Sequence, residues 1–174
     1  MAAISGLLRV GFSYERTVGM RRLTNTAADI VISRDGHLHI LCRGENLVFV
    51  RQLTLDDDDL GAFNLVGGGG PVGGSFKVEG QFVWPSSLAL DASDNLWVSD
   101  EGANKISTLS LDGKFISQWG SAGARDGELN RPSGICFGKD GNLYVADTLN
   151  HRVQKFSPDG RFILKWGQYG TGPG

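Results

Sequence analysis

The chain has 174 residues, 40% hydrophobic and 21% charged, which is enough for one globular domain with a buried core. Its formal net charge of −2 sets up no field that would gather nucleic acid, so a nucleic-acid partner is not expected. No apolar run approaches the ~18 residues of a membrane helix, the N-terminus lacks a basic leader, and a cytoplasmic location without membrane attachment is expected.

In chain order, residues 1–11 show no pattern, and Phe12–Val18 before Gly19 reads as one strand with no partners ahead of it. A first, degenerate unit runs over 27–67, with strands expected at Ile30–Ile32, Leu38–Leu41, Leu47–Arg51 and Phe63–Val66. The run Asp56-Asp57-Asp58-Asp59 reads as a solvated turn before the last of these, since it lacks the spaced ligands and central glycine of a calcium loop. Residues 68–84 form a glycine-rich connector. With no Gly-Lys-Ser/Thr and no helical pattern after it, it is not a phosphate loop. The 26 glycines, about twice the usual ~7% share, gather at turns as many short strands require.

Two clearer units follow at 85–120 and 132–167. The second reads as strands Gly134–Phe137, Leu143–Ala146, Val153–Phe156 and Phe162–Trp166. Asp140-Gly141 and Asp159-Gly160 supply the positive φ of tight reversals between them. Pro132, Asp147, Asp159, Phe162 and Trp166 repeat Pro85, Asp100, Asp112, Phe115 and Trp119 at a constant displacement of 47 residues. The first unit aligns at a displacement of 105, matching Leu38, Ile40 and Val48 to Leu143, Val145 and Val153, with Cys42 where the others carry aspartate. Cys42 and Cys136 lie in apolar runs of different units and are expected to remain unpaired. Four short antiparallel strands recurring about every 45 residues are the pattern of a β-propeller blade. The expected fold is therefore all-β: an arc of three four-stranded blades at 27–67, 85–120 and 132–167, plus the strand near 12–18.

Tyr144-Val145-Ala146-Asp147, the turn Asn150-His151-Arg152 and the following Val153-Gln154-Lys155-Phe156 resemble an NHL repeat; Asn104-Lys105 stands for His151-Arg152 one unit earlier. The Trp-Asp signature of WD40 blades is missing. The resemblance implies a six-bladed propeller of which this chain is a truncated member, acting as a recognition module through its loop face. A protein or peptide partner follows, and self-association through open blade faces. Loop-face binding candidates are Trp84, Asn104, Lys105, Arg125, His151 and Arg152. Asp100, Asp147 and Asn150 are read as structural, because a carboxylate at a strand end accepts the unpaired N–H groups of the turn. Trp119 and Trp166, equivalent in the fourth strands, are expected to pack between blades.

Some related propellers are metal-dependent enzymes, and a fragment of a peptidyl-hydroxyglycine lyase-like or lactonase-like enzyme is the alternative reading. His37-x-His39 has a spacing that can hold zinc. Alignment, however, puts His39 at the packed position of Trp97 and Tyr144, and His37 at a turn edge. Ser86 and Ser133 follow prolines without a positioned base. No metal, no cofactor and no catalytic residue are expected, and the polypeptide by itself is not expected to be an enzyme.

Overall fold

Short apolar runs broken by tight reversals become twelve β-strands in the computed structural model, which describes residues 26–43, 48–65 and 82–170. They form three antiparallel meanders: β1 (Thr26–Ile32), β2 (Leu38–Arg43), β3 (Val48–Leu53) and β4 (Asp59–Asn64); β5 (Pro85–Leu90), β6 (Leu96–Asp100), β7 (Lys105–Leu109) and β8 (Phe115–Trp119); β9 (Pro132–Phe137), β10 (Leu143–Asp147), β11 (Arg152–Phe156) and β12 (Phe162–Trp166). One 3₁₀ turn, Thr148–Asn150, interrupts the last meander. The strand expected at 12–18 and most of the connector at 68–84 lie outside the described residues.

All six hairpins joining first to second and third to fourth strands use one reversal. The residue opening the loop exchanges two backbone bonds across it, as in Ser110 N–H to Lys114 O at 2.9 Å and Gly113 N–H to Ser110 O at 2.9 Å. This geometry needs a left-handed residue at the fourth position, and Gly36, Asp57, Asp94, Gly113, Gly141 and Gly160 hold it with φ between 58° and 85°. Asp57 thus stands where the other units place glycine. The acidic run is this same reversal, and β4 starts at Asp59 rather than at Phe63. The third strand of this unit also differs from the expected alignment. Phe49 faces Cys42, as Arg152 faces Asp147, so Val50 and not Val48 takes the place of Val153.

The sheets stack as blades. β1 lies against β5 and β5 against β9, so the first strands line the inner side of the arc. A polar relay ties them together: Ser87 Oγ donates to Asp29 Oδ2 at 2.6 Å and accepts from Ile135 N–H at 3.3 Å. Between the first two blades Leu41, Val48, Val50 and Leu65 bury against Leu88, Leu96, Val98 and Leu109. Between the second and third, Ala89, Trp97 and Ile106 bury against Ile135, Leu143, Val145 and Phe156. Trp119 crosses the second gap, its ring 4.7 Å from that of Phe156. Trp166, at the same place in the third blade, faces no described sheet and is 47% exposed.

Gly160 offers a test of this packing. A Cβ there would stand 2.8 Å from the Trp119 ring, whereas one on Gly141, equally left-handed, would meet open space. Gly141→Ala is expected to cost only the left-handed penalty, roughly 1–2 kcal/mol. Gly160→Ala adds overpacking and should lose about 2–4 kcal/mol. Equal losses in chemical denaturation would contradict the Trp119 contact.

Candidate functional site

Antiparallel order puts the β2–β3 type connections and the lead-in loops to each first strand at one end of the arc, opposite the six hairpins. Every loop-face candidate lies at this end. Its backbone is organised by the carboxylate closing each second strand. Asp100 is fully buried. Its Oδ2 accepts from Val83 N–H at 2.6 Å, and its Oδ1 accepts from the N–H groups of Trp84 at 2.8 Å and of Gly102 and Ala103 at 3.0 Å. One side chain thereby ties the lead-in loop to the following turn.

Asp147, also fully buried, solves the same problem differently. Oδ1 accepts from Asn130 N–H at 2.6 Å, while Oδ2 accepts from Asn150 Nδ2 at 2.9 Å, Arg152 Nε at 2.7 Å and Gln154 Nε2 at 3.0 Å. Arg152 is buried here and is not a loop-surface group. Its second terminal nitrogen donates to the carbonyls of Arg125 at 2.7 Å and Glu128 at 2.9 Å, capping the lead-in loop from within. Asn150 reaches the same loop at Gly123 O, 2.8 Å away. In the first blade an apolar Cys42–Phe49 pair replaces the Asp147–Arg152 pair, both residues buried. Both cysteines are free, and Cys136 lies exposed on the third blade.

The remaining candidates differ in what they leave free. Asn104 and His151, equivalent and left-handed at φ 56° and 52°, close the two turns. Asn104 Oδ1 accepts from Arg131 N–H at 2.8 Å across the blade boundary, while the exposed His151 ring lies 4.9 Å from Tyr169. Lys105 Nζ donates to Gly120 O at 2.6 Å. Arg125 projects into solvent and pairs with Glu128, Nε to Oε1 at 2.8 Å. That pairing holds the Glu128 carboxyl below its ordinary range. Trp84 is 50% exposed, with the Arg43 guanidinium 5.1 Å above its ring. Arg43, Arg131 and the half-exposed Leu149 belong to this face and are missing from the sequence-derived candidates. For Arg131 a signal existed, since it precedes Pro132 as Trp84 precedes Pro85.

The two spaced histidines are separated by their roles. His39 is buried on β2, with Nε2 3.0 Å from Ser33 Oγ and Nδ1 3.3 Å from Gln52 Nε2. His37 lies in the turn, 2.8 Å from Asp35 Oδ2. Among the described residues no group of three or more His, Cys, Asp or Glu side chains is disposed to hold a metal, and no helix is long and apolar enough to cross a membrane.

The arrangement defines a propeller-type repeat protein with a solvent-facing loop rim tied by hydrogen bonds to buried carboxylates. The family model for the NHL repeat matches residues 129–156. The chain is 39% identical over 57 residues to the protein Brain tumor of Drosophila melanogaster, a stretch making up 32% of this chain and 6% of that one. Residues 129–156, most of the third blade, therefore carry an NHL repeat. Its fold matches virginiamycin B lyase from Staphylococcus aureus (TM-score 0.56, 18% identity, 83% of this chain and 43% of that one). It also matches a chain of the nidogen/laminin complex (TM-score 0.56, 16% identity, 83% and 51%). The chain thus spans about half or less of the proteins it matches, and the likeness to the solved structures is one of fold.

Two predictions follow from the turn chemistry. Asp147→Ala leaves Arg152 buried without its carboxylate and should lose about 3–5 kcal/mol. The double variant Asp147→Cys/Arg152→Phe, copying the first blade, should recover ~1 kcal/mol or more of that loss; no recovery would contradict the equivalence of the two pairs. Burial pushes the His39 imidazole below its ordinary value of 6.5. The unfolded chain therefore takes up the proton first as pH falls, and the His39 contribution, complete above pH 6.5, is lost below it. His39→Tyr, as in the third blade, should flatten the decline in melting temperature between about pH 7 and pH 5; an unchanged slope would contradict this.

Proposed function

We propose that the chain is a non-catalytic recognition module that holds a protein or peptide partner on its loop face. The observation that carries this reading is Trp84: a half-exposed indole on backbone fixed by a buried aspartate. A large aromatic group already held in place loses little freedom on binding, and such residues dominate interface energetics. His151, Arg125 and Leu149 extend the same rim, whereas Asn104, Lys105 and Arg152 are engaged within the protein and shape the rim. In this reading the three blades are part of a six-bladed ring, in keeping with the shares of 43% and 51% of the solved chains. The enzymes among the structures of similar fold keep a metal-dependent lyase as the alternative.

The test is affinity capture with the 174-residue chain, comparing the parent with Trp84→Ala and with Arg161→Ala on the opposite, hairpin end. Protein retained by the parent and by Arg161→Ala should be lost with Trp84→Ala, whose affinity is expected to fall roughly tenfold or more. Retention independent of Trp84 would overturn the loop-face assignment. Stoichiometric metal with turnover of a lyase or lactonase substrate would promote the enzymatic alternative.

A further inference from the structure

We propose that Arg43, Trp84 and Arg131 form a strip that binds a peptide segment carrying a carboxylate side chain next to an apolar or aromatic one. This deepens the recognition-module reading and rests on it. Trp84 and Arg131 occupy one position in successive blades, immediately before Pro85 and Pro132 at the start of the inner strands. They are joined through the backbone between them: Ser86 Oγ donates to Pro132 O at 3.2 Å, and an Arg43 terminal nitrogen donates to Pro85 O at 3.3 Å. Arg43 and Trp84 thus meet at one blade boundary, and Arg131 takes the place of Trp84 at the next.

Among the described residues the two guanidiniums of this strip lack counter-ions. Arg51, Arg125, Arg152 and Arg161 each face a carboxylate, but among the described residues neither Arg43 nor Arg131 does. Arg43 is instead laid over the indole. Beside the bond to Pro85 O, the remaining N–H groups of this guanidinium are left for a carboxylate, to which its fork geometry is matched, and the half-exposed indole remains for an apolar neighbour. The amount of free charge selects the partner. Asp126 and Glu128 on this face already pair with Lys165 and Arg125, and Glu101 adds a negative charge to the turn beside Trp84. Two guanidiniums with no carboxylate partner among the described residues, set among these acids, suit one or two carboxylates rather than the regular charges of a phosphate backbone.

Arg131 adds an independent observation. Its φ of 51° lies in the left-handed region, and a proline follows it. Both features disfavour a side-chain-bearing residue at this point, and glycine would relieve the first. The conformation is held by the bond from its N–H to Asn104 Oδ1, while its side chain stays in solvent.

The same strain separates binding from folding in the test. Fluorescence anisotropy would follow the 174-residue chain against a fluorescein-labelled hexapeptide, Asp-Glu-Phe-Glu-Leu-Asp. Controls are its Asn/Gln counterpart, its lysine counterpart and a uridine oligoribonucleotide. The acidic peptide should bind, with affinity falling as salt rises, and the amide counterpart should bind about tenfold more weakly. Arg131→Gly should weaken acidic-peptide binding about tenfold while its melting temperature stays equal or rises, and Arg43→Gln should weaken it similarly. Unchanged binding by Arg131→Gly would overturn the strip, as would tighter binding of the RNA than of the acidic peptide. Equal binding of the amide or lysine peptide, lost with Trp84→Ala, would overturn the acidic chemistry and leave the recognition module standing. If no peptide binds, the strip falls; the module falls with it only if capture by the loop face also fails.

Discussion

A carboxylate buried at the end of a second strand is the interaction on which the rest of this structure depends. Where a strand stops and the chain crosses to the next, several backbone N–H groups lose their ladder partners, and each would carry a desolvation penalty if left bare. Asp100 collects four of them from two separate loops. Asp147 takes one amide and uses Asn150, Arg152 and Gln154 to bring the rest of the turn and the lead-in loop together. Both solutions give a loop that is polar in composition and fixed in position.

That fixing links the packed blades to the surface. The apolar faces bury between sheets, with Trp119 spanning one gap, so each first strand is held against its neighbour. The residues just before those strands inherit the constraint: Trp84 from Asp100, Arg131 from Asn104. The exposed side chains at the rim are thus presented by a scaffold whose order is established in the core. A partner meeting them has little backbone freedom to remove.

Much of this was legible in the residues themselves. The 47-residue displacement of Pro, Asp, Phe and Trp landmarks gave the second and third blades, and the Asp-Gly pairs gave most of their hairpins. The first blade was harder to read because its β2–β3 connection is two residues longer, Cys42 facing Phe49 where Asp147 faces Arg152, and because two substitutions remove its landmarks. Asp57 performs a glycine's left-handed turn without looking like one, and Cys42 with Phe49 replaces a charged pair by an apolar one. The rim was legible only in part. Trp84 stands out as an aromatic in a loop, but whether Arg152 turns inward or Arg131 outward depends on which carbonyls and carboxylates lie within reach. Those neighbours come from distant parts of the chain. Arg43 acquires its place only when one blade is set against the next.

Whether the buried aspartates hold the loop face rigid is measured directly by amide hydrogen exchange. The amides of Val83, Trp84, Gly102 and Ala103 on Asp100, and of Asn130 on Asp147, should exchange as slowly as those of the central strand residues Leu96–Val98 and Leu143–Val145. Exchange of these five amides at the rate of open loops, with the strands protected, would show that the carboxylates do not organise the face.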